Sequence, residues 1–460
     1  MKNIVSIILL ILSLQTNAQT AQIEIPETYE LSNIILALTD YGIADDWEVQ
    51  KETEYYQSVL TYFEPVKNHP LLDSVNYSRK KWEDYLSFRT DAVAFSFDKD
   101  GKLKRDFNFF ANKGFSPFDD NLNLINDFVV KSNFRQFYQE QQGLYNQIIS
   151  NYEDYNFVKE MLLFLDNRIG KQTEEKDVIY KIILSPLVFR MNCHRDLSKN
   201  IVADFPSMGK ELINGIDTSD NIEDRLNGNH LIFTEKDHEY INPITNRLRT
   251  LVISNFKNQY WDNNSGYPEE NSFNEYMTWA VYDLFLDEYF PEYAKKLSTF
   301  WQYQNASRGF FAQNLFSEKL KELYRKNEGK KFQNIYKPLL KWTKEIETTI
   351  TLPELINVDT RQFIKTDTNK IQLEFSEEMN TKDSFGLIIE EFKDGKKTGK
   401  NQNIEINDSK WTDEEKKVIF KIDTEYEEFS LVFNWWKIEK PLISKKGIFL
   451  KPLSYILLKK

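Results

Sequence analysis

The chain is poor in the residues that most often reveal chemistry. It has one cysteine and four histidines in 460 residues. A single thiol excludes any disulfide within the chain. Cys193 reads as a small buried side chain in preference to a nucleophile, and it does not stand where a lipid-anchor cysteine would. Glycine (15) and proline (13) are sparse, which excludes a low-complexity or disordered chain. Positive charge is in deficit, with 59 Lys and Arg against 71 Asp and Glu and a net charge of −12. The acidic residues are spread along the chain, not blocked into a tail. Nucleic acid and anionic membrane are therefore poor candidates for partners. After Leu14 no apolar run is long enough to span a membrane. There is no internal repeat.

What is abundant is aromatic, 34 Phe and 24 Tyr, and 460 residues are enough for two or three domains and at least one large core. The N-terminus carries Lys2, then an apolar run from Ile4 to Leu14, then Thr16-Asn17-Ala18. That order of charge, apolar run and small-residue exit predicts a signal peptide over 1–18, cleaved after Ala18. The alternative is a buried N-terminal helix. The mature protein is expected to be exported, periplasmic or extracellular, with no transmembrane anchor.

From 19 to 346 the pattern is mostly helical. "DLFLDEYFPEYAKKLSTFWQYQ" and "FFAQNLFSEKLKELYRKN" repeat apolar residues at spacings of three and four. "NEYMTWAVYDLFLDEYF" is apolar nearly all round and predicts a buried helix. Strands are expected at Asp91 to Asp98, before a turn at Lys99 to Gly101, and within Asp177 to Phe189, before a Ser-Pro break. Near Thr348 the character changes. "KIQLEF", "FGLIIEEF", "IEIND", "KKVIFKID" and "EFSLVFNWW" are short strand-like runs with a turn signal at Asp394-Gly395. Around seven strands over 347–460 predict a β-sandwich of immunoglobulin type, without the cysteine pair of antibody domains.

Two of the four histidines fall in "HLIFTEKDHEYINPITNRL", His230 to Leu248. The stretch nearly spells H-E-x-x-H twice. That signature works because positions i and i+4 share a helix face, so two imidazoles reach one Zn²⁺ and the glutamate can take a proton from its water. In one register Glu235 and His238 are kept and Thr234 replaces the first histidine. In the other, His238 and Glu239 are kept and Asn242 replaces the second. The first has the apolar lead-in Leu231-Ile232-Phe233, whereas the second runs into Pro243, which disfavours helix. The first is preferred, with a helix ending at Asn242-Pro243. Thr is a poor zinc ligand. His230 lies about 12 Å from His238 along one helix, too far to replace it. His69, before Pro70, reads as a turn residue, and His194, beside Arg195 and Asp196, as a surface loop residue.

The order of short motifs resembles an uncharacterised secreted Bacteroidota family with a gluzincin-like, H-E-x-x-H-type metallopeptidase core. "TEKDHEYINP" matches its catalytic helix apart from Thr234. "FNEYMTWAVYDLF" matches its downstream helix. "IYKIILSPLVFRMN", "YFEPVKNHP" and "RGFFAQNLFSEKL" resemble further segments, so the likeness covers roughly residues 45–345. The C-terminal stretch "DTNKIQLEFSEEMN" resembles a bacterial Ig-like domain. The resemblance implies Glu235 as general base, His238 and Glu275 as metal ligands, and strand Ile179 to Leu184 as a holder of peptide substrate by strand addition. Without the resemblance, Glu275 reads as a carboxylate favoured by a helix N-terminus and Glu235 as a solvated helix residue.

The expected fold class is α+β: a mainly helical zincin-like domain with a small sheet over 19–346, then an all-β Ig-like sandwich over 347–460. The expected function is an exported zinc-metallopeptidase-like protein, degenerate or weakly active because Thr234 stands where a histidine should. Zinc is then held weakly or not at all, and a peptide or protein is the substrate class. The alternative is a non-catalytic cell-envelope protein that binds peptide or glycan, or one with a structural role.

Overall fold

A computed structural model describes residues 21–460, apart from 45–47, 113–114, 171–177, 216–220, 263–264, 357, 359, 383, 413, 436–437 and 439. The expected signal peptide lies outside the described residues. The chain is mixed α+β, about 50% helical with 20% strand, and its strands fall into several small sheets. It divides into two compact units, Met1–Asp166 with Thr173–Glu235, and Asn167–Gln172 with Lys236–Lys460.

The first unit is built on a helix with almost no polar face. Glu27–Leu38 starts after Pro26, has Glu27 and Glu30 in its first turn, and is buried from Thr28 to Leu38. The early carboxylates suit the positive end of the helix dipole. Around it pack rings from several helices: Phe63 stacks on Phe128 at 5.9 Å, and Tyr55, Tyr62 and Phe63 all contact Phe137. The sheet runs in the order Gln22–Glu24, Ile179–Ile183, Ile201–Phe205, Cys193–Ser198. Ile179–Ile183 is parallel to both neighbours, and its β-branched residues suit a strand covered on both faces.

Three expectations change here. Strand Ile179–Ile183 is interior, paired with Gln22–Glu24 on one side and with Ile201–Asp204 on the other, so it offers no edge to a peptide. His194 is not in a loop. It lies half-buried on strand Cys193–Ser198, with Nδ1 2.7 Å from Oδ1 of the buried Asp204. The stretch Asp91 to Asp98 is strand only at Phe95–Phe97, because Asp91 closes the helix Trp82–Asp91 and accepts the Ala111 N–H at 2.7 Å. His69 caps the helix Pro70–Ser74, with Nδ1 accepting from the Leu71 N–H at 3.2 Å and Nε2 beside Asp127 at 2.9 Å. Cys193 is buried and free.

The second unit begins inside a helix. Ile222–Arg247 is continuous and contains Pro243, so it does not stop at Asn242-Pro243 as expected. A proline removes one hydrogen bond and crowds the preceding turn, yet tertiary burial of Tyr240, Ile241 and Ile244 holds the helix together beyond it. Glu269–Tyr289 is buried from Ser272 to Leu286, apart from Glu275, as its all-round apolar pattern predicts. Its Phe273 and Tyr276 join Phe256, Trp261 and Phe316 in one aromatic cluster. The buried Asp283 on this helix accepts from Gln302 Nε2 at 2.7 Å.

Beyond residue 350, among the described residues, nine strands form two sheets. One is ordered Lys396–Ile406, Phe385–Lys393, Glu428–Phe433, Ser454–Lys459, Ile364–Lys365; the other Ser409–Thr412, Lys417–Phe420, Ile371–Phe375, Leu355–Ile356. Alternate residues of both, among them Leu373, Leu387, Phe420, Leu431 and Leu458, close on one core. Asp394 and Gly395 both have positive φ, 51° and 73°, as a two-residue hairpin turn of the mirror-image type requires.

Asn434 is a keystone at one end of this core. It is fully buried with φ 48°. Its Nδ2 donates to the Leu442 and Leu450 carbonyls at 2.9 Å each, and its Oδ1 accepts from the Leu442 N–H at 2.7 Å. Asn tolerates the left-handed region better than most residues. Asn434→Ala is expected to cost about 2 kcal/mol, since each lost bond leaves a buried partner unsatisfied. Urea unfolding of wild type and variant checks this, and a change below about 0.5 kcal/mol would contradict it.

Candidate functional site

The candidate residues sit on two helices, Ile222–Arg247 and Glu269–Tyr289. In the second unit, His238 and Glu275 come together: Nε2 of His238 lies 3.7 Å from Oε1 of Glu275. Both side chains are mostly buried, 24% and 16% exposed. Nδ1 of His238 lies 3.2 Å from Oδ1 of Asn242, one turn further along the same helix. Nε2 is thus the ring nitrogen on the side of the Glu275 carboxylate, and Nδ1 the one beside Asn242. A cation placed between Nε2 and Oε1 would be within reach of both atoms.

The fit to zinc can be tested on that geometry. Two ligands of a tetrahedral ion at about 2.1 Å lie roughly 3.4 Å apart, close to the separation observed. The pair therefore fits as two ligands of one ion. A third is not in place. Thr234, 5% exposed, donates its Oγ1 hydrogen to the Leu231 carbonyl of its own helix at 3.1 Å. Among the described residues no group of three or more His, Cys, Asp or Glu is arranged to hold a metal ion. A catalytic zinc with three protein ligands does not fit this donor set, so no reaction step is routed through one.

Glu235 is half-buried on the long helix, three residues before His238. Its neighbours depart further from a peptidase helix. Lys236, 3% exposed, turns its Nζ onto both carboxylate oxygens of Glu239 at 2.6 Å. Asp237 is fully buried, and neither of its oxygens has a hydrogen-bond partner. Burial pushes its carboxyl well above the usual carboxylate range. It shares a helix face with Ile241, whose carbonyl accepts from the Tyr336 hydroxyl at 3.3 Å.

Sequence reasoning missed Asn242 as the orienting partner of His238, although the i, i+4 spacing of the two was visible. In the signature, Asn242 stands only as a lost ligand. It also missed the orphaned Asp237, for which one-dimensional pattern carries no signal. Among the described residues no helix is long and apolar enough to cross a membrane. No protein-family model, curated protein or solved structure matches this chain.

Proposed function

We propose that this is an exported metallopeptidase-like protein whose zinc site is degenerate, so that the His238–Glu275 pair holds a divalent ion weakly and hydrolysis is lost or feeble. The reading combines a zincin-like helical region with a C-terminal Ig-like sandwich. The observation that carries it is the 3.7 Å approach of His238 Nε2 to Glu275 Oε1 from two separate helices, the placement that second and third zinc ligands need. Thr234, satisfied by its own helix, supplies the reason for weakness. The same observation favours a second reading, in which the fold is kept to bind peptide or glycan without cleaving it.

A metal titration tests the proposal. Zinc added to dialysed mature protein is expected to bind at about one ion per chain with a Kd in the micromolar range or weaker. His238→Ala and Glu275→Gln should each weaken it at least tenfold. Zinc binding unchanged in both variants, or none at millimolar zinc, overturns the proposal.

A further inference from the structure

Arginine is poorly suited to a protein core, because its charge cannot be given up there. Arg89, on the helix Trp82–Asp91, is 0% exposed. A guanidinium so placed normally meets a carboxylate, and among the described residues none pairs with it. Nη2 donates to the Met191 carbonyl at 2.5 Å, and Nε and Nη1 find no acceptor. The side chains that meet the guanidinium are Tyr29, Tyr85 and Cys193. Tyr85 offers its ring, whose centroid lies 6.0 Å away. Buried Glu30, next to Tyr29 in sequence, is engaged by the Tyr55 hydroxyl instead.

One positive charge is thus enclosed with two phenols and a thiol. The thiol is ordinarily the strongest acid of the three, and burial holds the Tyr29 hydroxyl well above the usual tyrosine range. A Cys193 thiolate gives the guanidinium the partner it lacks, and the guanidinium in turn holds the charge on sulfur.

The thiol lies just beneath the surface. Cys193 is 7% exposed and opens Cys193–Ser198, the last strand in its sheet. Met191 and Asn192, which lead into it, are half-buried. Met191 has φ 62°, a conformation that favours glycine, and its carbonyl is the group that Arg89 holds. The same side chain therefore meets the thiol and fixes the turn in front of it.

We propose that Cys193 is a site of oxidation by hydrogen peroxide and that Arg89 activates it. The thiol proton leaves for solvent. The thiolate then attacks one oxygen of the peroxide. An S–O bond forms, the O–O bond breaks, and the leaving hydroxide takes up a proton as water. Sulfur loses two electrons and the peroxide gains them, so thiol and peroxide become sulfenic acid and water. A thiol this enclosed admits a reagent close to water in size, and hydrogen peroxide is one. The chain has no second cysteine, so no disulfide within it can consume the sulfenic acid. It persists until a small external thiol condenses with it and releases water. The proposal stands whether or not His238 and Glu275 bind metal.

The test is mass spectrometry of the single cysteine in the full-length mature protein. Hydrogen peroxide at neutral pH, with dimedone to trap sulfenic acid, is expected to label Cys193 at least about tenfold faster in the folded protein than in the urea-unfolded chain. An inert buried thiol does the reverse. Arg89→Lys keeps the charge and should keep about half the rate or more, whereas a folded Arg89→Gln should label at least about tenfold more slowly. The comparison of folded with unfolded wild type needs no variant, so it decides even if Arg89→Gln does not fold. Labelling of the folded wild type no faster than that of the unfolded chain overturns the proposal. So does a correctly folded Arg89→Gln that labels as fast as wild type.

Discussion

Between about pH 4 and pH 8 the first unit is expected to lose about 3 kcal/mol of stability, and Glu30→Gln is expected to abolish most of that loss. Glu30 is fully buried on the Glu27–Leu38 helix. Burial pushes its carboxyl up from 4.5 to about 7, against the lowering effect of hydrogen bonds from Tyr55 and Ser185. The Tyr55 hydroxyl donates to Oε1 at 2.6 Å and lies 2.7 Å from the Tyr145 hydroxyl. Because the folded value lies above the unfolded one, the folded state holds the proton more tightly. The stability this provides is complete below about pH 4.5 and is lost as pH rises through about 7. At 1.36 kcal/mol per pKa unit, the interval of about 2.5 units gives about 3 kcal/mol. Gln keeps an oxygen to accept from Tyr55 and carries no charge at any pH. Urea unfolding at the two pH values, with hydrogen exchange of the Glu27–Leu38 amides as the local readout, measures the difference. An equal slope in wild type and Glu30→Gln would sink the assignment.

The second unit shows most clearly how much was legible. Its buried helix was readable because a run such as Phe273 to Leu286 leaves no polar stripe to face water. The hairpin at Asp394-Gly395 was readable because few dipeptides reach positive φ at both positions. Among the described residues, five of the nine strands after residue 350 match runs visible in the sequence. Leu355–Ile356 and Ile364–Lys365 are two residues each, too short for any period to show. Ser454–Lys459 is not among those runs, although Tyr455 to Leu458 is as strand-like as they are.

The errors share one cause: tertiary contacts overrode local preference. Pro243 stops a helix in isolation, but not one whose flanking turns are anchored by buried Tyr240, Ile241 and Ile244. His194 has charged neighbours, and only the fold reveals that Asp204 lies across the sheet from it. The approach of His238 to Glu275 spans nearly forty positions of sequence. No periodicity contains it. The orphaned Asp237 is beyond sequence for a similar reason, since burial without a partner is a property of the packing alone.

On the proposed degenerate site, Thr234→His is expected to give zinc retained through dialysis, with a Kd about a hundredfold or more tighter than that of wild type. A structural zinc site is worth about 10–16 kcal/mol over four ligands, or roughly 3 kcal/mol for each, and about 1.4 kcal/mol is tenfold. Position 234 precedes His238 by four residues on one continuous helix, the spacing at which two imidazoles share an ion. Asn242→His has the same spacing on the other side but should fail. Asn242 meets the ring at Nδ1, whereas Glu275 faces Nε2, and one imidazole gives a metal only one of its nitrogens at a time. Thr234→Gln controls for the bulk added at a site only 5% exposed. Cobalt substituted for zinc supplies a spectrum that reports tetrahedral ligation directly. If Asn242→His gains the metal and Thr234→His does not, the helix is being read in the wrong register. If neither gains it, the approach of His238 to Glu275 is an ordinary ion pair between helices and the metallopeptidase reading fails with it.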